Sequence, residues 1–443
     1  MKRSLLMIFL LVSLVLLASI DSMSGKLPQD SQVVLIVENL RANYAVSKES
    51  VLMDMVLNQL AIEQLIAQYV EMLAYNNGLD PKDVYMAFDG DLGVAVWLDS
   101  TGQERLVAIL GPMKNPRNVK SAVERLLPQL LPMDMKLNMA TDQEYLYIGD
   151  LGEYSTAEKG FDSLSLKSDL PVGFGYFYSF LEESLVKASV RNEDQKIVIE
   201  GLSIPLSDES RVAYEQVLSG ADVSGLEANK QLPLLSVFGV LKDLGTVGSV
   251  ASDQIELLPV NLNDLGLEAI NIEDLEEYLT GEFVVSADLS IDDIFSSLLG
   301  SQSSGSQSSP FDITYLVRIG YTGTLDIVRS SIEKSGGSVK PDSDDRLLIV
   351  DGQYIWIDGD WLFLSSRDRE ATTSIIGNGI LLNESKTYTE LSTLVPGKSF
   401  LKLFLDSGYI LSSLMGITIE SGILMSAEYS LETGGIKGTL VVK

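Results

Sequence analysis

Gly78–Val96 reads GLDPKDVYMAFDGDLGVAV, and Ala269–Ala287 reads AINIEDLEEYLTGEFVVSA. Placing Gly90 on Gly281 brings Asp83 onto Asp274, Val84 onto Leu275, Phe88 onto Leu279 and Asp91 onto Glu282. Each stretch reads as a short helix, an apolar residue, a turn glycine, an acid and then a strand. Asp80 and Asn271 stand where N-caps belong, and Pro81 follows at the first helical position. Gly90 and Gly281 are expected at a helix exit that needs positive φ. Asp83, Gly90 and Asp91, with Asp274, Gly281 and Glu282, therefore form a motif written twice.

The match continues in order. RLVAILGPMKNPRNVKSAVERLL starts at Arg105 and TYLVRIGYTGTLDIVRSSIEK at Thr314, each an apolar strand, a turn and a helix. Val119, Ala122, Val123 and Leu126 make one stripe at helical spacing, as do Leu325, Val328 and Ile332. Then DQEYLYIGD (Asp142–Asp150) matches DGDWLFLSS (Asp358–Ser366), with Leu146 on Leu362 and Tyr147 on Phe363. The second copy reads as a meander with turns at Asp351-Gly352 and Gly359-Asp360. Leu27-Pro28, Leu170-Pro171, Leu232-Pro233 and Val395-Pro396 each precede an apolar run and then a helix. Each copy closes on a strand pair.

The expected fold class is α+β: two tandem related domains, each a mostly antiparallel sheet with helices packed on one face. The expected boundaries are residues 1–26 for a signal peptide or N-terminal membrane anchor, 27–225 for the first domain and 226–443 for the second. GSQSSGSQSSP, residues 300–310, reads as a flexible loop inside the second domain. The first domain has instead a longer early helix, expected from about Ser47 to Asn76. Gln59 and Glu63 interrupt any heptad there, so it is not a coiled coil.

The chain has 443 residues, 62 acidic and 32 basic, and a formal net charge of −30. A surface of that sign repels phosphate backbones and anionic headgroups, so no nucleic-acid partner is expected. There is no histidine and no cysteine. Disulfides, thiol and imidazole catalysis, and His- or Cys-ligated metal sites are excluded with them. Carboxylate pairs, Ser-Lys, Tyr or oxygen-ligated cations are left.

MKRSLLMIFLLVSLVLLASI opens the chain, with Lys2 and Arg3 ahead of an uncharged apolar run, Ser4–Ile20. This is the pattern of a secretory signal, and the run is also at the short limit for a spanning helix. Either way the following chain is sent outward. The expected location is extracytoplasmic, in the periplasm or at the cell surface, with residues 4–20 as the only contact with the membrane.

The helix ending in Thr280-Gly281-Glu282 before a strand, together with Leu-Pro opening a strand-helix unit, resembles an exported bacterial family of unknown function with internally duplicated α+β domains and an N-terminal signal or anchor. The first copy departs from that pattern, with Asp89 for Thr280 and Leu92-Gly93 for Phe283-Val284. The resemblance implies a fold and an envelope location, and no catalytic residues.

Among acidic clusters, Asp342, Asp344 and Asp345 are the best candidates for a cation, because three acids crowd one loop. They lack full calcium-loop spacing. Asp89-Gly90-Asp91 and Asp358-Gly359-Asp360 read more simply as turns. Ser331 and Lys334 have Ser-x-x-Lys spacing without its partner motifs. Tyr176, Phe177, Tyr178 and Phe180 are expected to alternate between the two faces of a sheet, and Trp356 and Trp361 to pair across a hairpin. The reading is a non-catalytic binding or scaffolding protein of the envelope, with no cofactor, whose partner is a protein or a small apolar ligand. The alternatives are an envelope hydrolase using paired carboxylates and a calcium-stabilised surface component.

Overall fold

The computed structural model describes residues 20–59, 61–130, 138–180, 184–228, 230–242, 274–289, 313–341, 347–350, 352–377, 379–416 and 418–443. The fold is α+β, built on antiparallel strands with helices. The chain divides into two compact units, the first ending at Leu206 and the second spanning Ser207–Val442. The expected boundary at 225 thus moves forward to 206. Helix α9, labelled in chain order below, is the reason: its Val217 and Leu218 lie in the second unit's core.

In the first unit the strands are β1 (Ser31–Val37), β2 (Asp91–Leu98), β3 (Glu104–Gly111), β4 (Asn138–Thr141), β5 (Leu146–Gly149), β6 (Gly175–Phe180), β7 (Ser184–Glu193) and β8 (Lys196–Pro205). They lie in the order β8-β7-β6-β1-β2-β3-β5-β4, every pair antiparallel. The β7–β8 turn, Asp194-Gln195, has positive φ at both residues (48° and 61°), as the twist of a two-residue hairpin demands. The helices are α1 (Ile20–Ser24), α2 (Leu40–Ser47), α3 (Val51–Asp54), α4 (Ile62–Asn76), α5 (Pro81–Tyr85), α6 (Pro116–Leu130), α7 (Leu151–Thr156) and α8 (Ser163–Lys167).

In the second unit the strands are β9 (Leu235–Val240), β10 (Leu279–Leu289), β11 (Ile313–Tyr321), β12 (Val339–Pro341), β13 (Leu347–Val350), β14 (Gln353–Asp358), β15 (Trp361–Ser365), β16 (Leu401–Leu405), β17 (Ile423–Ser430) and β18 (Gly435–Val442). Their order is β18-β17-β16-β9-β10-β11-β15-β14-β13-β12, again antiparallel throughout. The helices are α9 (Asp208–Leu218), α10 (Leu325–Lys334), α11 (Arg369–Gly377), α12 (Lys386–Ser392) and α13 (Ser407–Met415). Ser207 caps α9 by accepting the Ser210 amide at 3.0 Å, and Asp208 and Glu209 occupy its first turn, where the helix dipole favours acids.

One row of cross-strand partners crosses each unit. In the first it runs Val190, Gly175, Val37, Leu92, Leu110, Leu146. In the second it runs Ala427, Leu401, Gly239, Phe283, Ile319, Leu362. Leu92 with Phe283 and Leu146 with Leu362 are the pairings read from sequence.

Helices cover both sheet faces of each unit, not one face as expected. Successive strand residues point to opposite faces. In the second unit Val317 packs in one core with Val328 and Ile332 of α10, whereas its neighbour Leu316 packs with Ile375 and Ile376 of α11. In the first unit Ile36 lies in a core with Met23 of α1 and Leu166 of α8, and Leu35 and Val37 pack with Leu40 of α2. The strands are apolar at consecutive positions for this reason. Each fully buried Val, Leu or Ile contributes about 1.5–3 kcal/mol.

Other expectations are corrected locally. The single helix expected from Ser47 to Asn76 is broken into α3, a π-helical turn (Met55–Gln59) and α4, with α2 ending at Ser47. Ser50 starts α3 by accepting the Met53 amide at 3.4 Å, and Ala61 has φ +55° just before α4. The helix expected after β6 is absent among the described residues, where β7 begins at Ser184. Trp356 stacks on Phe363 (centroids 5.2 Å apart, planes 9° apart), while Trp361 faces Asp358. Residues 4–19 and the loop 300–310 lie outside the described residues.

Candidate functional site

The repeated motif proves to be architectural. Asp80 caps α5 through the Lys82 amide at 2.9 Å, with Pro81 at the first helical position. Asp83 accepts from Asn118 of α6 at 3.4 Å, and Asp274 from Lys334 of α10 at 3.3 Å. Each acid thus ties the turn before a strand to the helix after the next strand. Asp91 is buried at the start of β2, and Glu282 is half-buried in β10. Gly281 has φ +84°, and a Cβ there would meet the Leu241 carbonyl oxygen at 1.7 Å. Gly90 lacks the expected positive φ. It is required by close approach instead, since a Cβ would lie 2.8 Å from Gly111 Cα and the Pro112 oxygen.

The cation candidates Asp342, Asp344 and Asp345 lie outside the described residues. Among the described residues no three His, Cys, Asp or Glu gather to hold a metal ion. Asp89 is paired with Arg41 at 2.6 Å and Asp358 with Arg369 at 3.2 Å. Gly359, at φ +59°, turns the β14–β15 hairpin. Ser331 is buried, and Lys334, three residues on, is bound to Asp274. The aromatics of β6 alternate as expected: Tyr176 and Tyr178 join one core and Phe177 the other.

Sequence reasoning missed the buried charges. Glu227, in a one-turn 3-10 helix (Leu226–Ala228), receives Lys402 Nζ of β16 at 2.7 Å and the Tyr388 hydroxyl of α12 at 2.7 Å. Lys402 and Tyr388 are nearly inaccessible to solvent. Burial, and then the Glu227 carboxylate beside it, push the Tyr388 hydroxyl well above the usual tyrosine range. Lys402 thus pairs with one carboxylate oxygen and Tyr388 with the other. Three segments far apart in the chain supply these groups, so no local pattern announces them.

Arg318 of β11 is also buried. Its Nη2 donates to Gln231 Oε1 at 2.9 Å, and its Nε has no partner among the described residues. Desolvation lowers its pKa to about 10. In the first unit Lys187 of β7 is buried, donating to Ser168 Oγ at 2.7 Å, with Asp169 at 3.7 Å.

Helix α4 presents the opposite condition. Leu73 and Ala74 face inward, yet Leu65, Ile66, Tyr69, Met72 and Tyr75 are 47–83% exposed. Leu65, Tyr69 and Met72 fall at i, i+4 and i+7, which places them in one ridge. The helix carries Glu63 and Glu71 and no Lys or Arg. A second apolar stripe beyond the buried one was legible in the sequence.

Among the described residues no helix is long and apolar enough to cross a membrane. No family model matches the chain, and no curated protein matches it. Among solved structures, a chain described as "Structure of crystal form I of TP0453" aligns over 48% of this chain and 75% of that one, at 10% identity and a TM-score of 0.25. So slight a likeness carries no argument about fold or function.

Proposed function

We propose that this is an extracytoplasmic, non-catalytic binding or scaffolding protein, attached to a membrane through residues 4–20 and built from two copies of one α+β unit. Its partners are a protein, a small apolar ligand or an apolar surface. The observation that carries binding over catalysis is the contrast between charge and grease. The partly buried carboxylate Glu227 is paired within the fold with Lys402 and Tyr388, while α4 turns five large apolar side chains outward. Exposed apolar patches mark interaction sites.

The duplication is supported by the common strand order and the paired rows. It is supported too by matching connections outside the ladders. Glu38 donates its amide to the Phe174 carbonyl and Phe174 to that of Val190. Val240 donates to Phe400 and Phe400 to Ala427. The extra hairpin strands β12 and β13 are then an insertion in the second copy.

The location is tested with a single Asp208→Cys substitution, since the chain has no cysteine and the Asp208 side chain is fully exposed. A membrane-impermeant thiol reagent is expected to label it in intact spheroplasts. Labelling only after lysis would place the chain in the cytosol and end the reading.

A further inference from the structure

We propose that Arg318, with Ser286 beside it, anchors a binding site for a small monocarboxylate with an apolar tail, a step that rests on the binding role proposed above and names its ligand class. Val284 and Arg318 are direct cross-strand partners, and so are Ser286 and Leu316. Ser286 is therefore the diagonal neighbour of Arg318 on the same face of the sheet, within reach of a long side chain. Arg318 is 9% exposed and Ser286 1%. Neither Arg318 Nε nor Ser286 Oγ has a partner among the described residues. Buried polar groups are nearly always bonded, so two unused donors on one buried face point to a group that takes both.

The sheet does not need them for its own packing. Arg318 lies one residue before Ile319, and Ser286 three after Phe283. Ile109 and Ala95 lie at the same steps from Leu110 and Leu92 in the first unit, and both are fully buried in an apolar core. Nor does the second unit neutralise the charge. In a chain with 62 acids, Arg318 is given the neutral amide of Gln231, at 2.9 Å. Gln231 is held by backbone bonds to Ile380 in both directions, which fixes the guanidinium in turn. Burial lowers the pKa of Arg318, with no acid beside it to raise it.

Charge and surroundings set the ligand class. One guanidinium and one hydroxyl offer a single positive charge and donors for two oxygens, which is what a carboxylate takes. A dianionic phosphate would leave a negative charge buried and uncompensated. Phe363 is the partner of Arg318 on β15 and stacks on Trp356. Both rings belong to a cluster with Leu316, Ile375 and Ile376. Phe363, Ile375 and Ile376 are only partly buried, so the cluster reaches solvent beside α11, where an apolar tail has room to leave the interior.

The test is a set of thermal melts of the full chain in a mild non-ionic detergent at neutral pH, with phenylpropanoate as the probe. A ligand that binds the native state raises the midpoint. Phenylpropanoate is expected to raise that of the parent saturably. Phenylpropanol, which lacks the charge, and acetate, which lacks the tail, are expected to do so far less. Arg318→Met is expected to weaken binding about a hundredfold, the usual effect of truncating one side of a buried charge pair. Ser286→Ala, a smaller change, is expected to weaken it roughly tenfold. A single cooperative melt without probe shows that each variant folds. No rise in the parent overturns the proposal, as does a rise undiminished in both variants, which places the acid elsewhere. An equal rise with phenylpropanol reduces the site to an apolar pocket and overturns it too. So does a rise with inorganic phosphate that is lost in Arg318→Met, which assigns the site to small inorganic anions. Any of these failures leaves the exposed face of α4 as the binding surface, and the labelling of Asp208→Cys reads location alone.

Discussion

Asp150 Oδ2 accepts the backbone N–H of Leu106 at 2.9 Å, and the Asp150 amide returns a bond to the Leu106 carbonyl, also at 2.9 Å. In the second unit Ser366 Oγ accepts from the Tyr315 amide at 3.1 Å and its own amide donates to the Tyr315 carbonyl at 3.3 Å. An aspartate and a serine thus close the β3–β5 and β11–β15 ladders in the same way. Asp150→Ala is expected to destabilise the protein by about 1–3 kcal/mol, the cost of leaving a partly buried amide unpaired. Asp150→Ser should recover most of that, because the serine geometry already works at Ser366. Chemical denaturation of the two variants checks the order. Equal losses would mean that the aspartate acts by its charge alone.

Glu227 and Lys402 should be strongly coupled. Glu227→Ala strands a buried ammonium and is expected to cost about 3–5 kcal/mol. The double variant Glu227→Leu with Lys402→Met should cost clearly less than Glu227→Ala, because no uncompensated charge is left. A double-mutant cycle by denaturant unfolding measures the coupling. Additive losses would show that the pair is held apart in solution.

Arg318 lies on β11 two residues before Gly320, as the apolar Ile109 lies on β3 two residues before Gly111. Arg318→Met, which keeps the length and removes the buried charge, is expected to be neutral or to stabilise by about 1–3 kcal/mol. A thermal melt compares it with the parent. A loss of several degrees would mean that the guanidinium has a strong partner.

Asp99 organises the β2–β3 turn. It accepts the Thr101 hydroxyl at 2.6 Å, the amides of Thr101 and Gln103, and Arg105 Nε at 2.8 Å. These bonds, the Thr101 hydroxyl foremost, hold its carboxyl well below the usual range. A carboxyl whose pKa is depressed by folding stabilises above its unfolded value, about 4, and loses that contribution as pH falls toward its folded value. Asp99→Asn is therefore expected to melt below the parent at pH 7, with the gap narrowing as pH is lowered toward 2. A gap independent of pH would assign the effect to shape.

Many of the strands were legible because local chemistry wrote them. Proline and glycine punctuate strands wherever they lie, and runs such as RLVAILG and TYLVRIG specify strands without help. Leu92 and Phe283, and Leu146 and Leu362, aligned in the sequence, stand at the same places in the two rows of cross-strand partners. The helix from Ser47 was misread for a complementary reason. Its apolar residues favour a helix, but Ser50 offers a cap, the Met55–Gln59 turn is π-helical and Ala61 turns left-handed.

What the sequence determined by itself is many of the strands, several of their pairings, and the chemistry ruled out by having no histidine and no cysteine. The tertiary structure alone decided that both faces of each sheet are covered, that α9 belongs to the second unit, and that Glu227, Lys402 and Tyr388 meet. The physical reason is range. Periodicity and capping act within a few residues, whereas burial of a charge or exposure of a ridge depends on which distant segments pack against it.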